Sequence, residues 1–431
     1  MIYRFGDIFN IIDGDRGVNY PKEGDFFDEG YCLFLNAGNV TKTGWSFNKI
    51  SFISKEKDSQ LRKGRIERGD TVFTTRGTIG NAAFYGNGIK YNHIRINSGM
   101  VILKAKDKQI IDDEFIYYLV TSPVAKKKIE LFCSGSAQPQ LPIKDFIKIK
   151  FNLPSLKIQK KIVSIIGSYD NLIENNNRRI RLLEQMAENL YKEWFVRFRF
   201  PGHEKAEFEN SKLGKLPSSF RVANMEEIFA DYIGGGWGND VLSEDYPIEA
   251  SVIRGADFPK VWHYDVSSCP RRYHKASNYK SRQLKDGDIV MEISGGTSEQ
   301  PVGRTVLVTQ DMINRFKDGK VICASFCKMI RLKKEIISPY LFYYWMHYLY
   351  DTRIIDRFQL QSTGIINFKF ESFLRRGDVM IPPKDLQEAF DRQIIPIIKE
   401  MNQLAIQSEL LSRQRDLLLP RLMSGKLEVK V

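Results

Sequence analysis

Four short stretches of the chain combine guanidinium, amide and hydroxyl side chains with glycine or proline. That mixture suits hydrogen bonding rather than bond breaking. The first is Thr74-Thr75-Arg76-Gly77-Thr78-Ile79-Gly80 and the second Ser136-Ala137-Gln138-Pro139-Gln140. The third runs Ser294-Gly295-Gly296-Thr297-Ser298-Glu299-Gln300, with Arg304 after it; the fourth holds Gln359, Gln361, Ser362, Thr363 and Asn367. In the major groove Arg pairs with guanine, Asn or Gln with adenine, and hydroxyls with either. Thr75, Arg76, Thr78, Gln138, Gln140, Ser294, Thr297, Arg304, Gln361, Thr363 and Asn367 are therefore the candidate DNA-binding residues. The competing reading is a set of turns, in which Gly supplies positive φ and Ser or Thr closes local hydrogen bonds. Basic clusters at Arg62-Lys63-Arg65, Lys126-Lys127-Lys128 and Arg271-Arg272 suit phosphates, which position without specifying, and equally suit a solvated face.

Chemistry that breaks bonds is harder to place. The chain has no GxxxxGK[ST] phosphate loop and no Asn-Pro-Pro-aromatic motif. Its one glycine cluster, Gly234-Gly235-Gly236-Trp237-Gly238, lacks GxGxxG spacing and reads as a flexible loop. His93, His203, His263, His274 and His347 are scattered, without HExxH or a matched nucleophile. Acidic pairs such as Asp112-Asp113 and Glu226-Glu227 read as solvated surface. Cys32, Cys133, Cys269, Cys323 and Cys327 lack zinc spacing and read as reduced thiols in a cytosolic protein. No catalytic residue and no metal site emerges, although a nuclease of loosely spaced carboxylates stays open. The charge points elsewhere: 65 Lys+Arg against 52 Asp+Glu gives +13, which favours a polyanionic partner. The N-terminus shows no signal pattern, and the most apolar stretch, Tyr340 to Tyr350, is about half a bilayer span.

The four stretches fall into two sets because the chain repeats itself. Ile66-Glu67-Arg68-Gly69-Asp70-Thr71-Val72-Phe73 is answered by Leu284-Lys285-Asp286-Gly287-Asp288-Ile289-Val290-Met291, a charged turn entering a strand. Phe115-Ile116-Tyr117-Tyr118 matches Leu341-Phe342-Tyr343-Tyr344, and Ser134-Gly135-Ser136 matches Ser362-Thr363-Gly364. Leu153-Pro154 matches Ile381-Pro382, and Gln159 matches Gln387, both at an offset of 228. A period this long means a duplicated module rather than a solenoid.

Each module ends in a long amphipathic stretch. Ile162, Ile166, Tyr169, Ile173, Asn176, Ile180, Leu183, Ala187, Leu190 and Trp194 alternate by four and three, the seam of a coiled coil with Asn176 fixing register. Phe390, Ile394, Ile397, Met401, Leu404, Ser408, Leu411, Arg415, Leu418 and Leu422 repeat the pattern, with Pro396 predicting a kink or a late start. Two such seams favour pairing with each other; the alternative is that each helix packs on its own domain. From Ile162 to Trp194 the rise is about 48 Å, a spacer's length. The stretch between the modules, Phe200-Pro201-Gly202 to Leu216-Pro217, reads as a polar linker. The expected domains are 1–154, a helical spacer 155–199, a linker 200–216, a second domain 217–381, and a second helical spacer with tail 382–431. The two helices hold about +5 of the charge (nine basic against five acidic, then eight against seven), leaving most of the excess to the globular parts.

Leu153-Pro154-Ser155-Leu156-Lys157-Ile158-Gln159-Lys160-Lys161-Ile162, leading into Asp170, Ile173, Asn176 and Leu183, resembles the Pro-then-Gln/Ile entry to the first conserved helix of type I restriction–modification specificity subunits. Ser136-Ala137-Gln138-Pro139-Gln140-Leu141 resembles the polar motif before it. Leu216-Pro217-Ser218-Ser219-Phe220 resembles the start of the second recognition domain, with Phe220 where a Trp is usual. Arg415-Asp416-Leu417-Leu418-Leu419-Pro420-Arg421-Leu422-Met423-Ser424-Gly425-Lys426-Leu427 resembles the C-terminal ending, and the resemblance spans essentially the whole chain. It implies an α+β fold: two mixed α/β target-recognition domains, a pseudo-twofold duplication, joined by two long helices in an antiparallel coiled coil. It also implies double-stranded DNA as ligand, each domain reading half of a split site. The implied partners are two methyltransferase subunits and restriction/translocase subunits, which would hold S-adenosylmethionine, ATP and Mg; the chain itself would carry no cofactor, no catalysis and no membrane segment, and would work in the cytoplasm. The alternatives are a stand-alone duplicated DNA-binding regulator, an enzyme with an unrecognised site, and a coiled-coil scaffold; the last does not account for two large basic modules.

Overall fold

The charged turns that reveal the duplication are built alike. Gly69 and Gly287 take left-handed φ values of +96° and +86°, which a side chain resists. Asp70 then accepts from the Glu67 amide at 2.8 Å, and Asp288 from the Lys285 amide at 2.7 Å. Each turn delivers the chain into a buried strand, Thr71–Thr74 or Ile289–Glu292.

The computed structural model describes residues 1–133, 140–297, 300–362 and 365–429. It divides into two compact units, Met1–Leu172 with Leu411–Val431, and Ile173–Leu410. Unit 1 contains strands β1 (Phe9–Asp13), β2 (Cys32–Leu35), β3 (Phe52–Ile53), β4 (Thr71–Thr74), β5 (Ala82–Phe84), β6 (Ile94–Ile96) and β7 (Met100–Ala105). Helix α1 (Asp113–Thr121), helix α2 (Pro123–Glu130) and the start of α3 (Leu156–Tyr191) follow. One antiparallel sheet has the order β1-β7-β4-β5, and a second, mixed sheet has β3-β2-β6 with β2 and β6 parallel. The chain start, Ile2–Arg4, pairs with Lys150–Asn152.

Unit 2 repeats this plan. Its strands are β8 (Phe229–Gly234), β9 (Ile248–Ile253), β10 (Arg271–His274), β11 (Ile289–Glu292), β12 (Ser294–Gly296), β13 (Thr305–Leu307), β14 (Val321–Cys323) and β15 (Cys327–Leu332). Helix α4 (Pro339–Asp351), β16 (Gln359–Ser362), β17 (Ile365–Phe368) and α5 (Lys384–Met423) complete the elements used below. The orders β8-β15-β11-β13 and β10-β9-β14, again with one parallel pair, match unit 1 strand for strand. Arg221–Asn224 pairs with Asp378–Ile381, as the opening strand does in unit 1. Unit 2 also contains a third sheet, β12-β17-β16.

The two long helices are rooted by the same side chain. Gln159 donates through Nε2 to the carbonyls of Ile110 (2.8 Å) and Pro154 (2.9 Å), and accepts at Oε1 from the Asp112 amide (3.0 Å). Gln387 donates to Ile336 (3.1 Å) and Pro382 (2.9 Å), and accepts from the Ser338 amide (2.8 Å). Asp112 and Ser338 are the N-caps of α1 and α4. Both glutamines are buried, so each bond is made where water cannot replace it.

Along the helices, each unit has its own contacts. In unit 1, Ile162 and Ile166 share a core with Leu419, Leu422 and Met423, and Asp170 accepts from Arg415 (2.7 Å) and the Tyr118 hydroxyl (2.8 Å). In unit 2, Asn176 donates to Gln407 at 3.0 Å and Arg179 to Glu400 at 2.7 Å. The partner's number falls as the first rises, so these segments run antiparallel. Of the expected seam, Ile162, Ile166, Asn176, Ile180, Ile394, Met401 and Leu404 are buried; Tyr169, Ile173, Leu183, Leu190, Ile397, Leu411 and Leu418 are half-buried.

Four expectations are corrected. The buried stripe of α5 passes through Ile398 rather than Ile397, because Ile394, Ile398, Met401, Ala405 and Ser408 face inward together. Pro396 neither delays nor interrupts α5, which starts at Lys384; its ring is exposed, and Ile394 and Ile398 anchor the turns on either side. The stretch 200–216 is no plain linker: Phe208–Ser211 and Gly214–Pro217 form a hairpin, and Phe200 and Leu216 are buried in the core of unit 2. The first helix is α-helical only to Tyr191 and continues as a π turn over Lys192–Val196.

Replacing Gln159 by Ala leaves two carbonyls and one amide of unit 1 unsatisfied. We expect a loss of roughly 2–4 kcal/mol, read as faster hydrogen exchange in α1 and at the root of α3. Unchanged exchange there would refute the rooting role.

Candidate nucleic-acid interface

The register of each four-stranded sheet brings three connections to one end. In unit 1 Asp13 and Phe73 both lie opposite Val101, and Thr74 opposite Met100. In unit 2 Gly234 and Met291 lie opposite Lys328, and Glu292 opposite Cys327. The loop after the first strand, the loop after the third strand and the turn before the central strand therefore share that end. Space there is tight. A Cβ on Gly14 would stand 2.2 Å from the Asn97 carbonyl oxygen, and one on Gly235 2.2 Å from that of Cys323. The cluster around Gly235, expected to be a flexible loop, is instead close-packed against backbone.

At this end the stretches singled out in the sequence meet. The Thr75 amide donates to Gly99 (2.9 Å), and the Leu141 amide donates to the Thr75 carbonyl (3.0 Å). The Ile293 amide donates to Phe326 (2.9 Å), and the Phe368 amide to the Ile293 carbonyl (2.9 Å). The two ladders are equivalent, and the adjoining residues pair too: Arg76 bridges Gln140, and Ser294 lies opposite Asn367. Arg76 thus corresponds to Ser294, and Gln140 to Asn367.

The side chains divide into available and engaged. Arg76, Thr78, Gln140 and Thr297 are exposed. The Ser294 hydroxyl donates to Asn367 Oδ1 at 2.6 Å, so this half-buried pair is pre-oriented. Thr297 Oγ1 accepts from the Gln300 amide, as the turn reading required. Thr75 is buried and its hydroxyl donates to Gly99. Arg304 is buried in a two-pronged ion pair with Glu292, at 2.8 and 2.7 Å, and also donates to the Gly255 carbonyl. Both are corrected to framework residues, because their polar groups are engaged inside the fold. The backbone of Gln361 pairs with Ile366 in β16, while Ser136, Gln138, Ser298, Glu299 and Thr363 lie outside the described residues.

Of the basic clusters, Arg65 pairs with Asp58, Arg271 with Glu249 and Arg272 with Asp240. Arg272 also lies over the Trp237 ring. Two side chains at the strand ends were not singled out from the sequence. Arg16 follows β1, pairs with Asp13 and donates to Ser98; Phe326 is exposed in the turn before β15. Only the aligned turns reveal Phe326, since it stands where unit 1 has Gly99. Lys328, beside it, lies over the rings of Tyr232 and Phe370, and burial lowers its pKa. Among the described residues no group of three or more His, Cys, Asp or Glu is placed to hold a metal, and no helix is long and apolar enough to cross a membrane.

Residues 1–185 match the family described as "Type I restriction modification DNA specificity domain". The "Type I restriction enzyme MjaVIII specificity subunit" of Methanocaldococcus jannaschii is 23% identical over 439 residues, covering 100% of this chain and 93% of that protein. The "Type I restriction enzyme HindI specificity subunit" of Haemophilus influenzae is 22% identical, covering 96% and 98%. The crystal structure of the type I restriction–modification S subunit from M. genitalium has a similar fold, with a TM-score of 0.52, 14% identity, and coverage of 98% and 95%.

The division of arginines is testable by denaturation. Arg304→Ala strands the buried Glu292 carboxylate and should cost about 3–5 kcal/mol. Arg76→Ala, on the surface, should stay within about 0.5 kcal/mol of the parent. Equal losses would contradict the assignment.

Proposed function

We propose that this chain, which belongs to the type I restriction–modification specificity-subunit family, is the non-catalytic DNA-reading subunit of such an enzyme. Each unit addresses one half of a bipartite site. The observation that carries this is the recurrence of one polar pair, Arg76–Gln140 and Ser294–Asn367, on equivalent ladders at the same end of the same sheet. A duplicated scaffold with unlike side chains at its tip suits two different half-sites. Arg76 favours guanine, and Gln140 and Asn367 favour adenine.

The domain boundaries expected from the sequence place the recognition domains at 1–154 and 217–381. The helices then act as an antiparallel coiled-coil ruler that fixes the gap and docks two methyltransferase subunits. Exposed Leu182 and Met186 on α3, and Ile406 and Leu410 on α5, offer apolar surface for that docking. S-adenosylmethionine, ATP and Mg belong to those subunits and to the restriction subunits, and the complex works on DNA in the cytoplasm.

Two experiments test this. Co-expressed with its methyltransferase subunits, the chain should purify in a complex that methylates a two-part motif. Tight, site-specific binding by the chain alone, with no partner taken up, would favour the stand-alone regulator. Removing seven residues from α3 (173–179) and seven from the facing part of α5 (400–406) shortens the ruler by about 10 Å, or about three base pairs. The preferred gap should shorten accordingly; an unchanged gap would end the ruler account.

A further inference from the structure

Unit 2 holds a cavity of about 30 Å³ lined from α3, β13, α4 and α5. Glu184 and Glu188, four residues apart on one face of α3, supply its acidic side. Trp262, Tyr264, Tyr344 and His347 supply aromatic walls, and among the described residues no Lys or Arg lines it. Trp262 Nε1 donates to the Thr305 carbonyl at 2.8 Å, and His347 Nε2 stands 3.4 Å from the same oxygen. Burial lowers the His347 pKa to about 4, so this imidazole is neutral. Two hydroxyls and one carboxylate are left over. Tyr264 is 5% exposed and Tyr344 4%, yet neither hydroxyl has a hydrogen-bond partner among the described residues, and neither is sealed from space that water could fill. The Glu184 charge acts on both hydroxyls, which therefore face the same space. Half-buried Glu184 itself makes no hydrogen bond or ion pair among the described residues, whereas Glu188 meets Lys192 at 3.7 Å. Tyr264 takes its place in a left-handed conformation (φ +61°) that bulky residues rarely adopt.

The occupant follows from charge and size. An unpartnered carboxylate beside unpartnered hydroxyls and aromatic faces suits a cation that carries several N–H donors. The volume admits about two water-sized groups, an ammonium nitrogen and the carbon next to it, which is too little for a quaternary ammonium. We propose that this cavity binds the primary ammonium group of an aliphatic amine, with Glu184 as counter-ion and the Tyr264 and Tyr344 hydroxyls accepting from its N–H groups. The amine is a free polyamine or a lysine side chain of a partner subunit. Burial first, then the Glu188 and Asp351 charges, raise the Glu184 carboxyl to about 7. Burial also raises Glu188 and Asp351, which Lys192 opposes. Tyr343, Tyr344 and Tyr264 facing the carboxylates are neutral, their pKa values raised by burial. The ionised carboxylate is the binding form, so affinity for an amine that stays charged rises about tenfold from pH 6 to pH 8.

Calorimetric titration of the full chain with putrescine tests this. Saturable binding is expected at pH 8, about tenfold weaker at pH 6. Glu184→Gln should abolish binding and its pH dependence without lowering the thermal midpoint, because it removes a half-buried charge. Tyr344→Phe should weaken binding about fivefold, the worth of one hydrogen bond. Tetramethylammonium should not compete. Absence of putrescine binding, binding that survives Glu184→Gln, or equal competition by tetramethylammonium overturns the inference. The same titration of the complex with methyltransferase subunits separates the two sources. Putrescine bound there as by the free chain identifies a free amine. Putrescine excluded, with Glu184→Gln lowering uptake of those subunits, identifies a lysine of the partner.

Discussion

One buried glutamine side chain at the root of each long helix satisfies three backbone groups at once. Through Asp112 and Ser338 it ties that root to the N-cap of the aromatic helix, α1 or α4, which packs on the sheet. In water an amide hydrogen bond contributes little net stability; buried, the same groups left without partners cost several times more. The long helix therefore cannot pivot on its own unit without exposing unsatisfied groups. Gln159 and Gln387 thus fix how each helix root sits on its own unit. Ser338 reinforces it in unit 2, where its hydroxyl also donates to Asp391 on α5 at 2.6 Å.

From this root the sheet carries the constraint to the end where the polar pairs sit. The glycine–aspartate turns fix where β4 and β11 begin, and the sheet register fixes where they end. Gly14 and Gly235 allow the first loop to pass against backbone. At the last ladder the copies differ: Arg76 with Gln140 and Gly99 in one, Ser294 with Asn367 and Phe326 in the other. A shared frame with unlike tips is what the proposed reading of two unlike half-sites requires.

Much of this frame was legible in the sequence, because local rules write it. The repeated Gly-Asp turns, the matched Pro and Gln at an offset of 228, and the four-and-three alternation each depend on neighbours a few residues away. The polar pairs were legible only as separate stretches: Arg76 and Gln140 are brought together by long-range ladder bonds that no local pattern encodes. Arg304 misled for a related reason. An arginine near Gly and Ser looks available until Glu292, on the adjoining strand, is seen to hold it. Phe200 and Leu216, bracketing polar residues, looked like linker ends because their burial depends on a core assembled elsewhere in the chain. At Ile397 the error was one residue, within what the pitch of a helix leaves undetermined when two isoleucines adjoin.

In the proposed function, two similar units read two halves of one DNA site for partner enzymes. Mapping methylated adenines in host DNA with this gene present, deleted, or carrying Arg76→Ala tests it most directly. Deletion should remove methylation from a single bipartite motif, and Arg76→Ala should relax or abolish only the half read by unit 1. Methylation unchanged by deletion, or a motif altered in both halves by Arg76→Ala, would contradict it.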